Sequence, residues 1–190
     1  MFLGAGVYAL YYAGPSPLYA PLASQNATGC NAPIYVGKAV PGGSRKGVAV
    51  QAAGPALYRR LREHAESIRQ VQLYCPPASA GYLALKDCSY RFLVVDDVWI
   101  PLIESLSITS YKPPWNGFVD GFGHHDQGST RRSQERSFWD SLHPGRPWAL
   151  GFRENSVSRE DIAAGLQRWW HDPRVRLTKG KRNQIQSDEA

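Results

Sequence analysis

Two short apolar runs with tyrosines set into them constrain this 190-residue chain more than any other feature. VYALYYA, residues 7–13, and PIYVGKA, residues 33–39, have the length and the β-branched and aromatic content of strands. Residues 14–32 between them are dense in turn formers and predict an irregular connection. So long a loop inside a compact domain usually carries function or is disordered. A buried strand needs Val and Ile and has no use for phenols, so Tyr8 and Tyr35 ask for an explanation. One reading makes them core residues with satisfied hydroxyls. The other uses the antiparallel pairing: two phenols on one face of adjacent strands stand side by side and can serve one ligand.

PALYRRLREHAESIRQ, residues 55–70, is the best helix in the chain. Leu57, Leu61, Ala65 and Ile68 form one stripe at the helical period. Arg60 and His64 lie four apart and share a face that borders this stripe. Arg59, Arg62 and Arg69 belong to a solvated basic surface, and Arg60 by itself can be read the same way. YRFLVV, residues 90–95, predicts a buried third strand. It ends at Asp96 and Asp97, which are placed to cap a helix over 98–108 with Pro101 in its first turn. Residues 112–148 read as an extended loop region, and SREDIAAGLQRWW, 158–170, as a final helix opened by a Ser-x-x-Asp cap. The expectation is an α+β fold in a single domain over 1–190. Loops at about 14–32, 40–54 and 112–148 elaborate it, and a basic tail follows the last helix.

Lys and Arg number 22 against 16 Asp and Glu, a net charge of +6 that favours a polyanionic partner, nucleic acid above all. Cys30, Cys75 and Cys88 are odd in number and form no C-x-x-C pair, which argues against a zinc site and for a reduced compartment. No run reaches the length of a membrane span, and the apolar N-terminus has no basic leader, so it reads as a first strand. The expected location is the cytoplasm, with no membrane partner.

Gly6-Val7-Tyr8 and Tyr35-Val36-Gly37 resemble the two signature strands of the GIY-YIG nucleases, each with Val where the family has Ile. Arg60 matches the arginine of the family's following helix, and Glu104 in IPLIESL matches its metal-binding glutamate. His64 and Asn116, in LYRRLREH and PPWN, match positions of one subgroup. With YVGKAVPGG, WIPLIES, GFGHHD and LHPGR, the chain resembles, from about residue 5 to 150, the small type II restriction endonucleases of the SacII-isoschizomer group. Their target is CCGCGG. The fold this implies is a small GIY-YIG core: a three-stranded, mainly antiparallel sheet flanked by helices.

The resemblance implies hydrolysis of DNA phosphodiester bonds by Tyr8, Tyr35, Arg60, His64, Glu104 and Asn116. Tyr8 would be the base, assisted by His64 or Lys38, since a free phenol has a pKa of about 10. Arg60 would hold a phosphate oxygen. Glu104 would bind Mg²⁺, with Mn²⁺ as a substitute, although helical periodicity alone makes it a surface glutamate. Asn116 would orient the water or the phosphate, or else simply be a turn residue. A palindromic target implies a homodimer on double-stranded DNA. Candidate DNA contacts are Lys38, Arg45, Lys46, His124, His125, Arg131, Arg132, Arg136 and Arg146, each of which can also serve a phosphate or solvent. A homing or repair nuclease on the same fold, and a DNA-binding protein without catalysis, are the alternatives.

Overall fold

The computed structural model describes residues 2–40, 54–124 and 134–177. Three strands, β1 (Gly6–Tyr12), β2 (Pro33–Ala39) and β3 (Cys88–Val94), form one antiparallel sheet in the order β2-β1-β3. The helices are α1 (Ala20–Gln25), α2 (Ala56–Tyr74), α3 (Ile100–Tyr111), α4 (Pro114–Gly117), α5 (Phe138–Leu142), α6 (Pro147–Leu150) and α7 (Arg159–His171). The α+β sheet flanked by helices is the one expected.

α2 is anchored by the predicted stripe. Leu57, Leu61 and Ile68 are buried, and Val71 extends the stripe one turn past the expected end. α7 begins as its sequence dictates, with the Ser158 hydroxyl accepting from the Asp161 amide at 3.0 Å. α3 is different. Asp96 and Asp97 supply backbone carbonyls to its first turn, its N-cap is Trp99, and no carboxylate caps it.

Three expectations need correction. Residues 14–32 are not irregular: a 3₁₀ turn, Pro17–Tyr19, leads into α1 and buries Leu18, Tyr19 and Leu22. Turn residues mark chain reversals, but the apolar positions among them still gain by burial. Residues 112–148 are not an extended loop either. Their described part holds α4, α5 and α6, and places Trp115, Phe118, Phe122 and Trp139 in the core beside Leu166 and Trp169 of α7. Finally, β3 is not buried. It is an edge strand, exposed along most of its length.

The segment 14–32 and the aromatic cluster meet in a closed polar network. Trp115 Nε1 donates to Tyr19 Oη at 2.8 Å, Tyr19 Oη lies 2.6 Å from His143 Nε2, and His143 Nδ1 lies 2.8 Å from the Gly81 carbonyl. Burial lowers the His143 pKa to about 4, so the ring is neutral. A neutral ring satisfies all three bonds at once: Nδ1–H donates to Gly81, and Nε2 accepts from the Tyr19 hydroxyl. All three cysteines are free, and among the described residues no helix is long and apolar enough to cross a membrane.

Candidate active site

Register brings the two phenols together. Tyr8 pairs with Gly37, and Tyr35 with Leu10, so both tyrosines lie on one face as diagonal neighbours. Their ring centroids are 6.2 Å apart. The space that lets Tyr8 lie across β2 is the missing side chain of Gly37: a Cβ there would sit 2.5 Å from Tyr8 Oη. α2 covers this face and presents His64, whose Nε2 is 2.6 Å from Tyr8 Oη. Tyr8 and His64 are both buried. Burial pushes the Tyr8 phenol well up, and the Arg60 guanidinium opposes the shift by charge and hydrogen bonding. Tyr35 is raised by the same cause, again with Arg60 working against it.

Glu104 comes from the other face. Lys38 is one residue on from Gly37 in β2 and therefore points away from the phenols. Its Nζ donates to Glu104 Oε2 at 2.6 Å, which draws α3 against that side of the sheet. Tyr8, Tyr35, Lys38, Arg60 and Glu104 line one cleft of about 480 Å³ that straddles the end of β2. Glu63 lines the same cleft and accepts from Arg60 Nη1 at 2.8 Å; among the described residues no three His, Cys, Asp or Glu side chains gather around a metal position.

Asn116 sits just outside the cleft. Its Oδ1 accepts from the Val36 amide at 2.8 Å and its Nδ2 donates to the Val36 carbonyl at 2.8 Å. The side-chain amide thus occupies the free edge of β2 as a neighbouring strand would, and holds the residue after Tyr35 in place. The turn that was its simpler reading is the short helix α4.

One expected DNA contact is corrected. Arg146 is 1% exposed and cannot reach DNA. Its Nε and Nη2 each donate to the Asp140 carboxylate at 2.7 Å. Nη2 also donates to the Gly121 carbonyl, and Nη1 to the carbonyls of Phe122 and His124. The guanidinium carbon stands 4.5 Å from the ring centroids of both Trp139 and Trp148. Arg136 donates to the carbonyls of Ala149 and Leu150, and so pins α6. An arginine in a Gly- and Pro-rich stretch looks available from its neighbours in sequence; its acceptors come from distant backbone.

The Arg146 bonds matter to the cleft. Of four successive carbonyls, 121, 122 and 124 accept from Arg146, and the one between, Gly123, accepts from Arg60 Nη2 at 2.7 Å. Phe122 stacks on His64 with centroids 4.4 Å apart. A Cβ at Gly123 would meet Tyr35 Oη at 2.6 Å. Residues 121–124 therefore form the back wall of the site, with Arg146 and Asp140 as its buttress. Sequence reasoning missed Phe122, Gly123 and Asp140; only the neighbouring GFG and LHPGR segments hinted at them. His124 is exposed beside this wall, and Lys38 is exposed at the cleft mouth. Arg45, Lys46, His125, Arg131 and Arg132, with Lys179, Lys181 and Arg182 of the tail, lie outside the described residues.

The model of the family described as the Eco29kI GIY-YIG domain matches residues 1–169. No curated protein matches the chain.

Proposed function

This chain belongs to the Eco29kI GIY-YIG family of restriction endonucleases, nucleases that act on DNA, and on that ground we propose a magnesium-dependent type II enzyme that cuts a short G·C-rich palindrome as a homodimer. CCGCGG is the proposed target, from the resemblance of the motif segments to the group that cuts it. The observation that carries the reading is the convergence of Tyr8, Tyr35, Arg60 and Glu104 on one cleft from both faces of the sheet, with His64 bonded to Tyr8 behind it.

In this reading Tyr8 takes a proton from the attacking water while its own phenolic proton passes to His64 Nε2, across the 2.6 Å contact. The water oxygen bonds to phosphorus, and the ester bond opposite breaks. Burial makes a free phenolate costly, so the relay keeps net charge off Tyr8 until the attack. Arg60 meets the charge that develops on the phosphate oxygens. Tyr35, held against the back wall at Gly123, donates to the same phosphate. Glu104 is the residue that would hold Mg²⁺, with Lys38 fixing its carboxylate. When bound, the ion supplies charge relief at the leaving oxygen and can be replaced by Mn²⁺. Asn116 holds β2 and, through it, Tyr35.

The test is digestion of plasmid DNA with and without Mg²⁺, with the ends mapped by sequencing. Metal-dependent ends at CCGCGG support the whole reading. Discrete ends at another palindrome retain the chemistry and reject the target. A folded protein that shifts DNA in a gel without cutting it rejects catalysis.

A further inference from the structure

One carboxylate of the cleft takes no part in the proposed hydrolysis. Glu63 stands three residues past Arg60 on α2, and its Oε2 accepts from Arg60 Nη1 at 2.8 Å. It lines the cleft that holds Tyr8, Tyr35 and Glu104. It also lines a second, wider cavity of about 700 Å³ on the outer side of α2, toward Phe122, His124 and Trp148. Arg59, Arg60 and Glu63 are common to both cavities, so the Arg60–Glu63 pair forms part of the partition between them.

A glutamate three residues from an arginine on a helix is ordinarily a surface pair of little worth. α2 carries such a pair: Arg69 and Glu66 bond at 2.7 Å with both side chains about half exposed. Arg60 differs from Arg69. Its side chain is only 16% exposed. Its Nη2 donates to the Gly123 carbonyl of the back wall at 2.7 Å, and its charge reaches the Tyr8 and Tyr35 phenols. The guanidinium is thus clamped from the wall side, while Nη1 meets Glu63. A carboxylate and a phosphate offer a guanidinium the same kind of anionic oxygen. Glu63 is 52% exposed, so its carboxylate can leave the pair for water at little cost.

We propose that Glu63 is a built-in competitor for the phosphate seat of Arg60: its carboxylate holds Nη1 until a phosphate displaces it, and the guanidinium stays in place. This rests on the reading of Arg60 as the residue that holds a phosphate oxygen. Docking of a phosphate is then an exchange of one anion for another at a fixed cation. The exchange adds the same cost for every duplex, but its effect differs. A duplex held in register by many contacts keeps its phosphate seated despite the cost, whereas a loosely held one is left largely unseated. Glu63 is therefore a specificity-determining residue that touches no base.

The test reads binding, not cleavage. Inorganic phosphate is titrated into the full chain and followed through the Arg60 Nε–H resonance. Glu63→Gln is expected to bind phosphate about five-fold tighter than wild type, the upper worth of a partly exposed ion pair. Glu66→Gln removes the same charge one turn further along α2 and is expected to match wild type. The second measurement is fluorescence anisotropy with a short duplex that lacks CCGCGG. There Glu63→Gln is expected to bind more tightly, and the gain to vanish in an Arg60→Gln background. No gain from Glu63→Gln, an equal gain from Glu66→Gln, or a gain that survives Arg60→Gln each overturns the proposal. A Glu63-dependent phosphate seat in a protein that cuts no DNA supports the competitor and rejects the nuclease. A nuclease whose phosphate affinity ignores Glu63→Gln does the reverse.

Discussion

Tyr8 Oη and His64 Nε2 lie 2.6 Å apart in a site where neither side chain exceeds 2% exposure. The two are one proton-transfer unit, so their losses are expected not to add. Tyr8→Phe keeps the ring and removes the hydroxyl; cleavage should fall by about 10²- to 10⁴-fold, the usual worth of a positioned base. His64→Gln should fall into the same range, and the double variant little further. Single-turnover rates on a cognate duplex measure this. Additive losses would separate the two roles.

Glu104 stands 2.6 Å from Lys38 and brings the only carboxylate of α3 to the cleft. Glu104→Gln keeps the shape and removes the charge. Cleavage is expected to vanish at every Mg²⁺ concentration while gel-shift affinity for DNA holds. Cutting at the wild-type rate would sink the metal assignment.

Arg146 holds the back wall and not the DNA. Loss of one partner from a buried ion pair costs about 3–5 kcal/mol, so Arg146→Ala should melt well below wild type. Arg146→Lys keeps the charge but cannot serve both Asp140 and three carbonyls. It is expected to lower kcat by displacing Arg60 and His64, with DNA affinity and its salt dependence unchanged. A phosphate-contacting arginine would instead shift the salt slope by about one.

His143 makes stability depend on pH. Its pKa falls from about 6.5 in the unfolded chain to about 4 in the fold. Between those values the unfolded chain binds the proton and the fold does not. The stabilisation is therefore complete above pH 6.5 and drains away as pH falls toward 4, by about 3 kcal/mol. Urea titrations at several pH values should show it as a difference from His143→Gln, whose curve is expected to be flatter across this window.

Much of the site could be read from one-dimensional pattern. The tyrosine strands obey a two-residue period, and the Arg60–His64 pair a four-residue one. Both periods place side chains on a common face before any tertiary contact is known. Glu104 and Asn116 had no such signal and were legible only through the resemblance of their segments. The back wall at 121–124 was not legible, because its function lies in backbone carbonyls that any sequence carries.

Local order, then, was written in the chain: three strands, three long helices, and phenols, arginine and histidine on matching faces. The burial of the α2 stripe was legible too, but that of β3 and of Arg146 was decided by the tertiary structure alone. β3 reads as apolar and would be interior in a larger sheet, yet it falls at the edge because, among the described residues, no strand pairs beyond it. Arg146 reads as a surface cation, yet it is interior because Asp140 and three carbonyls together satisfy all five of its N–H groups. Hydrophobicity and charge are properties of a residue. Whether either is buried depends on partners that the fold brings from elsewhere in the chain.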